Sequence, residues 1–159
     1  MIKQYDRNSA ILYAKKWANS RNPKYYNFDT LGGDCTNFVS QCLYAGCGIM
    51  NYANYNGWYY NHINDRAPSW TGVEFLYEFL TENKGAGPFG YRVNNFETQV
   101  GDVITLFNSL EDAFHTVIIT RIDNGKYYVS SHTRNGFDIP LDFFSFYQAH
   151  FIHIKGVRI

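Results

Sequence analysis

The sequence has little of what marks several common classes of protein. Its three cysteines all fall between positions 35 and 47, too few and too close together for a disulfide framework. Lys plus Arg and Asp plus Glu both number 14, so the formal net charge is zero. A surface for nucleic acid needs an excess of positive charge. No apolar run approaches the roughly 18 residues of a membrane span. We therefore expect reduced thiols, no nucleic-acid partner and no transmembrane segment.

The N-terminus also lacks the charged and then apolar layout of a secretory signal. We therefore expect either a cytoplasmic protein or a trimmed secreted or cell-wall domain, and the sequence does not separate the two. The chain has 159 residues without an internal repeat or a low-complexity linker, the length of one ordinary domain. We interpret residues 1–159 as a single domain of undetermined oligomeric state.

The first half of the chain shows the periodicity of helices. Alanines and aromatic residues recur at helical spacing between positions 10 and 18, and a second apolar stripe begins at Cys35 and stops at a Gly-Cys-Gly turn. A third helix is predicted from Thr71 to Asn83, with Thr71 and Glu74 as a capping box.

The second half is rich in β-branched and aromatic residues. Four strands are predicted, over residues 102–107, 115–122, 126–132 and roughly 150–157. Asn124-Gly125 lies between the middle two and is typical of a two-residue type I′ hairpin turn. Helices followed by strands predict an α+β fold, with N-terminal helices packed on a C-terminal antiparallel β-sheet.

Cys35 is the first candidate for chemistry. It follows a glycine turn and opens a helix, where free backbone N–H groups and the helix dipole stabilise a thiolate or an oxyanion. The alternative is a small cysteine that fills the core, which is how we interpret Cys42 and Cys47.

His115 is the second candidate, because it starts a strand of the hairpin. With Asn124-Gly125 as the turn, regular pairing makes His132 its diagonal neighbour on the same face, able to orient the ring. A slip of one residue would put Ser131 there instead. Cys35, His115 and His132 could alternatively hold zinc, although no short metal-binding spacing joins them.

Residues 51–68 form a long segment rich in Asn, Tyr and Trp without periodicity, and loops of this length are often functional. The candidate substrate-binding residues are Asp34, beside Cys35, and an aromatic wall for sugar or peptide made of Tyr55, Trp58, Tyr59 and Trp70.

Several motifs together resemble one known family. The most specific is GGDCTNFVSQC at residues 32–42, supported by YAKKWA at 13–18, GDVI at 101–104, HTVII at 115–119 and YVSSHT at 128–133. They are similar to motifs of the bacterial putative amidase domain, a family of the papain-like group alongside CHAP domains and cell-wall peptidases. The resemblance covers residues 5 to 141.

The resemblance implies a papain-like fold, with Cys35 as nucleophile, His115 as general base and a polar third residue for which His132 is our choice. It also implies an oxyanion donor upstream of the cysteine, with Tyr13, Asn19, Tyr25 and Tyr26 all open. The implied activity is thiol-dependent hydrolysis of an amide bond in a peptide or in peptidoglycan, without a cofactor. The alternative is a non-catalytic module that binds peptide or cell wall on the same scaffold.

Overall fold

The computed structural model describes residues 1–159 and contains four α-helices and nine β-strands. The helices are α1 (Arg7–Trp17), α2 (Cys35–Cys47), α3 (Pro68–Thr71) and α4 (Val73–Glu82). The strands are β1 (Ile2–Lys3), β2 (Tyr60–His62), β3 (Asp65–Arg66), β4 (Gly87–Val93), β5 (Val103–Phe107), β6 (Ala113–Asp123), β7 (Lys126–Ser131), β8 (Gly136–Pro140) and β9 (Gln148–Arg158). The prediction of an α+β fold is confirmed.

Seven of the strands form one sheet, in which β9 pairs with three other strands. It pairs along one edge with β4 and along the other with β5 and β1, and β6, β7 and β8 continue from β5 in that order. All pairings are antiparallel. Asn124 and Gly125 have φ values of 52° and 74°, as the predicted type I′ turn between β6 and β7 requires.

The core lies mainly between the helices and one face of the sheet. It joins α1, α2 and α4 to inward side chains of β5, β6 and β9, and it contains the aromatic side chains of Phe28, Phe38, Trp58, Trp70 and Phe79. A smaller cluster covers the other face, around Val117, Ile119 and Leu141. No helix is both long and apolar enough to cross a bilayer.

Three details of the predicted elements are wrong. Residues 51–68, interpreted as a loop, contain the short antiparallel pair of β2 and β3. The third helix begins at Val73 after Gly72 and has no side-chain cap, because Thr71 ends the separate helix α3. Strand β4 was not predicted, since its glycines hide the strand pattern. A Cβ at Gly90 would lie 2.1 Å from the backbone oxygen of His153, so the close pairing of β4 with β9 requires glycine there.

Trp58 offers a test of this packing. It is fully buried, and Tyr55 in the same segment is 87% exposed. We expect Trp58→Ala to lower the free energy of unfolding by about 3–5 kcal/mol, because it leaves a large cavity. The control Tyr55→Ala should change it by less than about 0.5 kcal/mol. Urea denaturation measures both, and equal effects would contradict this packing.

Candidate active site

Cys35 occupies the first position of α2, as predicted. Gly32 and Gly33 have φ values of 88° and 98°, so the chain turns sharply into the helix in a conformation that favours glycine. Cys35 is 7% exposed. Its sulfur lies 3.7 Å from Thr36 Oγ1, which in turn lies 3.2 Å from Thr116 Oγ1. Thr36 therefore joins the first turn of α2 to the residue that follows His115.

The expected stabilisation of a resting thiolate is wrong. Burial raises the pKa of the Cys35 thiol above its ordinary value, and the negative charge of Asp34 adds to this effect. Hydrogen bonds from Thr116 and Thr36 lower the pKa of the thiol only in part. The environment therefore favours a neutral thiol in the free protein.

His115 lies near the start of β6, opposite Leu106 of β5. Its ring Nε2 is 3.1 Å from Ser131 Oγ, and its ring packs on Phe144 with the centroids 5.4 Å apart. Burial lowers the pKa of His115 to about 4, so the imidazole is neutral at pH 7 and available as a base.

The hydrogen bonds of Ser131 fix which nitrogen of His115 carries the proton. Ser131 Oγ donates its single proton to the backbone oxygen of His132 at 2.8 Å, so it accepts from His115 and Nε2 carries the hydrogen. Nδ1 of His115 has no hydrogen-bond partner. Arg21 Nε is the only fully buried side-chain nitrogen or oxygen without a partner, so Nδ1 of His115 is not fully buried. The Nδ1 lone pair is therefore free and reachable by a small group.

His132 does not contact the ring of His115, contrary to the expected pairing. The register of the hairpin shifts between Ile119 and Arg121, so that Ile118 opposes Ser130, and Ser131 takes the expected place of His132. The Nδ1 atom of His132 lies 2.5 Å from Asp34 Oδ2, and its Nε2 lies 2.8 Å from the backbone oxygen of Trp17. The bulge therefore turns His132 towards α1 and α2.

Asp34 is fully buried and accepts hydrogen bonds at both oxygens, so its expected role as a substrate contact is wrong. Oδ1 accepts from the backbone N–H of Phe28 at 2.8 Å and from Asn37 Nδ2 at 2.9 Å. Oδ2 faces His132 and lies 3.3 Å from Arg21 Nε. Burial alone would raise the pKa of Asp34, but the hydrogen bonds from His132, Asn37 and Phe28 lower it below its ordinary value.

The same contacts fix the ring of His132. One ring nitrogen faces the carboxylate of Asp34 and the other faces the backbone oxygen of Trp17. The buried ring is therefore held from both sides. It stacks on Phe38 of α2 with the centroids 4.1 Å apart.

The expected aromatic wall does not form. Trp58 and Trp70 are fully buried, and their Nε1 atoms donate to Ser40 Oγ at 3.1 Å and to Asn37 Oδ1 at 3.0 Å. Tyr55 and Tyr59 instead line a cavity of about 530 Å³ beside α4. Neither Cys35 nor His115 lines that cavity.

Two of the four candidate oxyanion donors have other contacts in the structure. The hydroxyl of Tyr13 donates to Gln41 at 2.5 Å, and the ring of Tyr25 packs between Tyr60 and Trp70. Tyr13 and Tyr25 therefore have contacts elsewhere, and Asn19 and Tyr26 stay open as oxyanion donors.

No three His, Cys, Asp or Glu side chains form a group that could hold a metal ion. The zinc alternative therefore finds no site.

Sequence reasoning named Ser131 only as the result of a register slip, and it missed Thr116. The bulge that places Ser131 beside His115 contains no turn residue or glycine, so the sequence carries no signal that predicts it. The amide of Thr116 could have been found only by its position directly after His115.

The chain is similar to proteins of Bacillus subtilis strain 168. It is 38% identical over 126 residues to "Uncharacterized protein YhbB", covering 77% of this chain and 39% of that protein. It is 26% identical over 167 residues to "Uncharacterized protein YjcM", covering 99% of this chain and 38% of that protein. The chain thus spans less than two fifths of the length of these relatives. No solved structure matches it.

A family described as "Putative amidase domain" matches residues 4–155. That match covers nearly the whole chain and includes α2, the β6–β7 hairpin and most of β9. An amidase-like domain of the hydrolase type is therefore supported. The chain belongs to the putative amidase domain family.

Proposed function

We propose that this protein is a cysteine-type amidase in which Cys35 attacks the carbonyl carbon of an amide and His115 is the general base. One observation carries the proposal. Thr36, the residue after Cys35, and Thr116, the residue after His115, share a hydrogen bond at 3.2 Å, and the hydrogen bond between Ser131 and Nε2 leaves Nδ1 of His115 free.

The proposed reaction has two halves. As Cys35 Sγ bonds to the amide carbon, its proton moves to His115 Nδ1, and backbone N–H groups at the start of α2 stabilise the oxyanion. The C–N bond then breaks while His115 returns the proton to the leaving amine. Water, deprotonated by His115, attacks the thioester and releases a carboxylic acid and the free thiol.

The surroundings of both groups favour a neutral resting pair. Burial raises the pKa of Cys35 and lowers that of His115 to about 4, so proton transfer accompanies attack instead of preceding it. The sulfur and the ring of His115 share no hydrogen bond in the free protein. Catalytic contacts of this kind commonly tighten only when substrate binds.

Ser131, His132 and Asp34 are proposed as positioning residues. Ser131 holds the reactive tautomer of His115, whereas the ring of His132 contacts Asp34 directly before Cys35. His132 follows Ser131 in the chain. The end of β7 therefore positions both His115, the proposed base, and the start of α2, which carries Cys35.

The proposed substrate is an amide in a peptide or in peptidoglycan, and the proposed superfamily is the papain-like group that includes CHAP domains. The support is the GGDCTNFVSQC motif, which places the cysteine at the start of a helix, together with a histidine near the start of a strand. Amide cleavage in such a site needs no metal or organic cofactor.

A non-catalytic module that binds peptide or cell wall is the second candidate. The observation that favours it is the position of the 530 Å³ cavity, which Cys35 and His115 do not line. Such a module would bind its ligand but release no new amino groups from it.

Replacing Cys35 tests the nucleophile. We expect Cys35→Ala to lower the release of amines from peptidoglycan fragments at least about a thousandfold, because the residues of such a unit fail together. The matched control is Cys47→Ala, since Cys47 lies at the far end of α2 and should keep the activity. Wild-type activity in Cys35→Ala would remove the nucleophile.

Replacing Ser131 tests the orientation of the base. Ser131→Ala should lower kcat about ten- to hundredfold with little change in KM, because a misplaced imidazole loses its alignment but Ser131 does not touch substrate. Ser131→Thr keeps the hydroxyl and should restore much of the rate.

The control is Ser130→Ala, a buried neighbour that contacts Thr120 Oγ1 at 2.9 Å and does not contact His115. It should lower stability without a comparable loss of kcat. Equal losses of kcat in Ser130→Ala and Ser131→Ala would refute the orienting role.

A further inference from the structure

We propose that the cavity beside α4 is a binding site for a neutral saccharide, separate from the Cys35 site. Its volume of about 530 Å³ falls within the range of small-molecule sites. Its walls are Asn51, residues 53–57 and Tyr59, the start of α3, one face of α4 and residues 83–85. It shares no residue with the proposed active site.

The walls of the cavity are held in place without a ligand. Asn51 and Trp58 exchange two backbone hydrogen bonds, at 2.8 and 2.7 Å, which close the loop between them. Ser69 Oγ donates to the backbone oxygen of Gly57 at 2.6 Å. Asn83 donates to the backbone oxygens of Ala86 and Pro88 and so fixes the far end. A preformed site avoids part of the ordering cost of binding.

Aromatic side chains at the cavity are left uncovered. Tyr55 is 87% exposed and Phe75 is 53% exposed, although both line the cavity. Neither ring is packed against another aromatic ring of the protein. Exposed apolar surface at a concave site marks ligand binding, and a flat ring of this kind can pack against the C–H face of a sugar.

The polar groups of the cavity suit hydroxyl groups. Glu78 and Glu82 lie one turn apart on α4, and neither forms a salt bridge with a cation of the protein. Like charges at this spacing disfavour a helix, so their placement is not explained by stability. Asn54 and Asn56 also line the cavity, and an asparagine side chain carries both a donor and an acceptor.

The charge of the cavity separates a saccharide from a basic peptide. Lys84 lines the same cavity as Glu78 and Glu82, so the balance is only one negative charge. A polycationic ligand would be repelled by Lys84 and attracted only weakly overall. A neutral ligand rich in hydroxyl groups uses the carboxylates as acceptors and the aromatic rings as platforms.

The test measures binding to Cys35→Ala protein, so its outcome does not depend on catalysis. Calorimetry and NMR titration would use two neutral probes, chitotetraose and cellotetraose, with tetralysine as the cationic probe. We expect at least one tetrasaccharide to bind in the millimolar range or tighter. We also expect Tyr55→Ala and the double change Glu78→Gln with Glu82→Gln to weaken that binding at least tenfold.

The matched control is Phe96→Ala, because Phe96 is 78% exposed and does not line the cavity. It should bind the tetrasaccharide as the parent does. The proposal is overturned if neither tetrasaccharide binds, if only tetralysine binds, or if Tyr55→Ala binds sugar unchanged. Loss of amidase activity in Cys35→Ala with sugar binding retained would show that the two sites are separate.

Discussion

The buried contact between Asp34 and His132 is the interaction on which the arrangement of the site depends. It joins the residue before Cys35 to the residue after Ser131 and, through the backbone oxygen of Trp17, to the end of α1. A buried charge is costly unless it is paired and hydrogen-bonded. Asp34 meets that condition, because Phe28, Asn37 and His132 hydrogen-bond to it and Arg21 lies beside it, so the first turn of α2 and the end of β7 are held at one separation.

The end of β7 links that constraint to the proposed base. Ser131 is the last residue of β7 and contacts His115, and His132 follows it directly in the turn and contacts Asp34. The hydroxyl of Ser131 then fixes the proton of His115 on Nε2. Burial of both Cys35 and His115 leaves a neutral pair, and the base needs only to accept a proton when the sulfur attacks.

The sequence predicted those features that have a local cause. The glycine turn before Cys35 and the apolar stripe after it predicted the start of α2, and Asn124-Gly125 predicted the hairpin turn. The features with a distant cause were missed. The bulge between Ile119 and Arg121 moved Ser131 into the place expected for His132. Trp58 and Trp70 have polar partners on α2, so two residues expected to bind substrate lie in the core.

The alkylation of Cys35 by iodoacetamide as a function of pH, compared between the wild type and His115→Ala, tests the central claim without a known substrate. If His115 accepts the thiol proton, the wild-type rate falls only as pH drops towards about 4, where His115 is protonated. His115→Ala should react about a hundredfold more slowly at pH 7, and its rate should keep rising with pH to beyond pH 9 without a plateau, since burial raises the pKa of Cys35. Identical profiles for the two proteins would contradict the account.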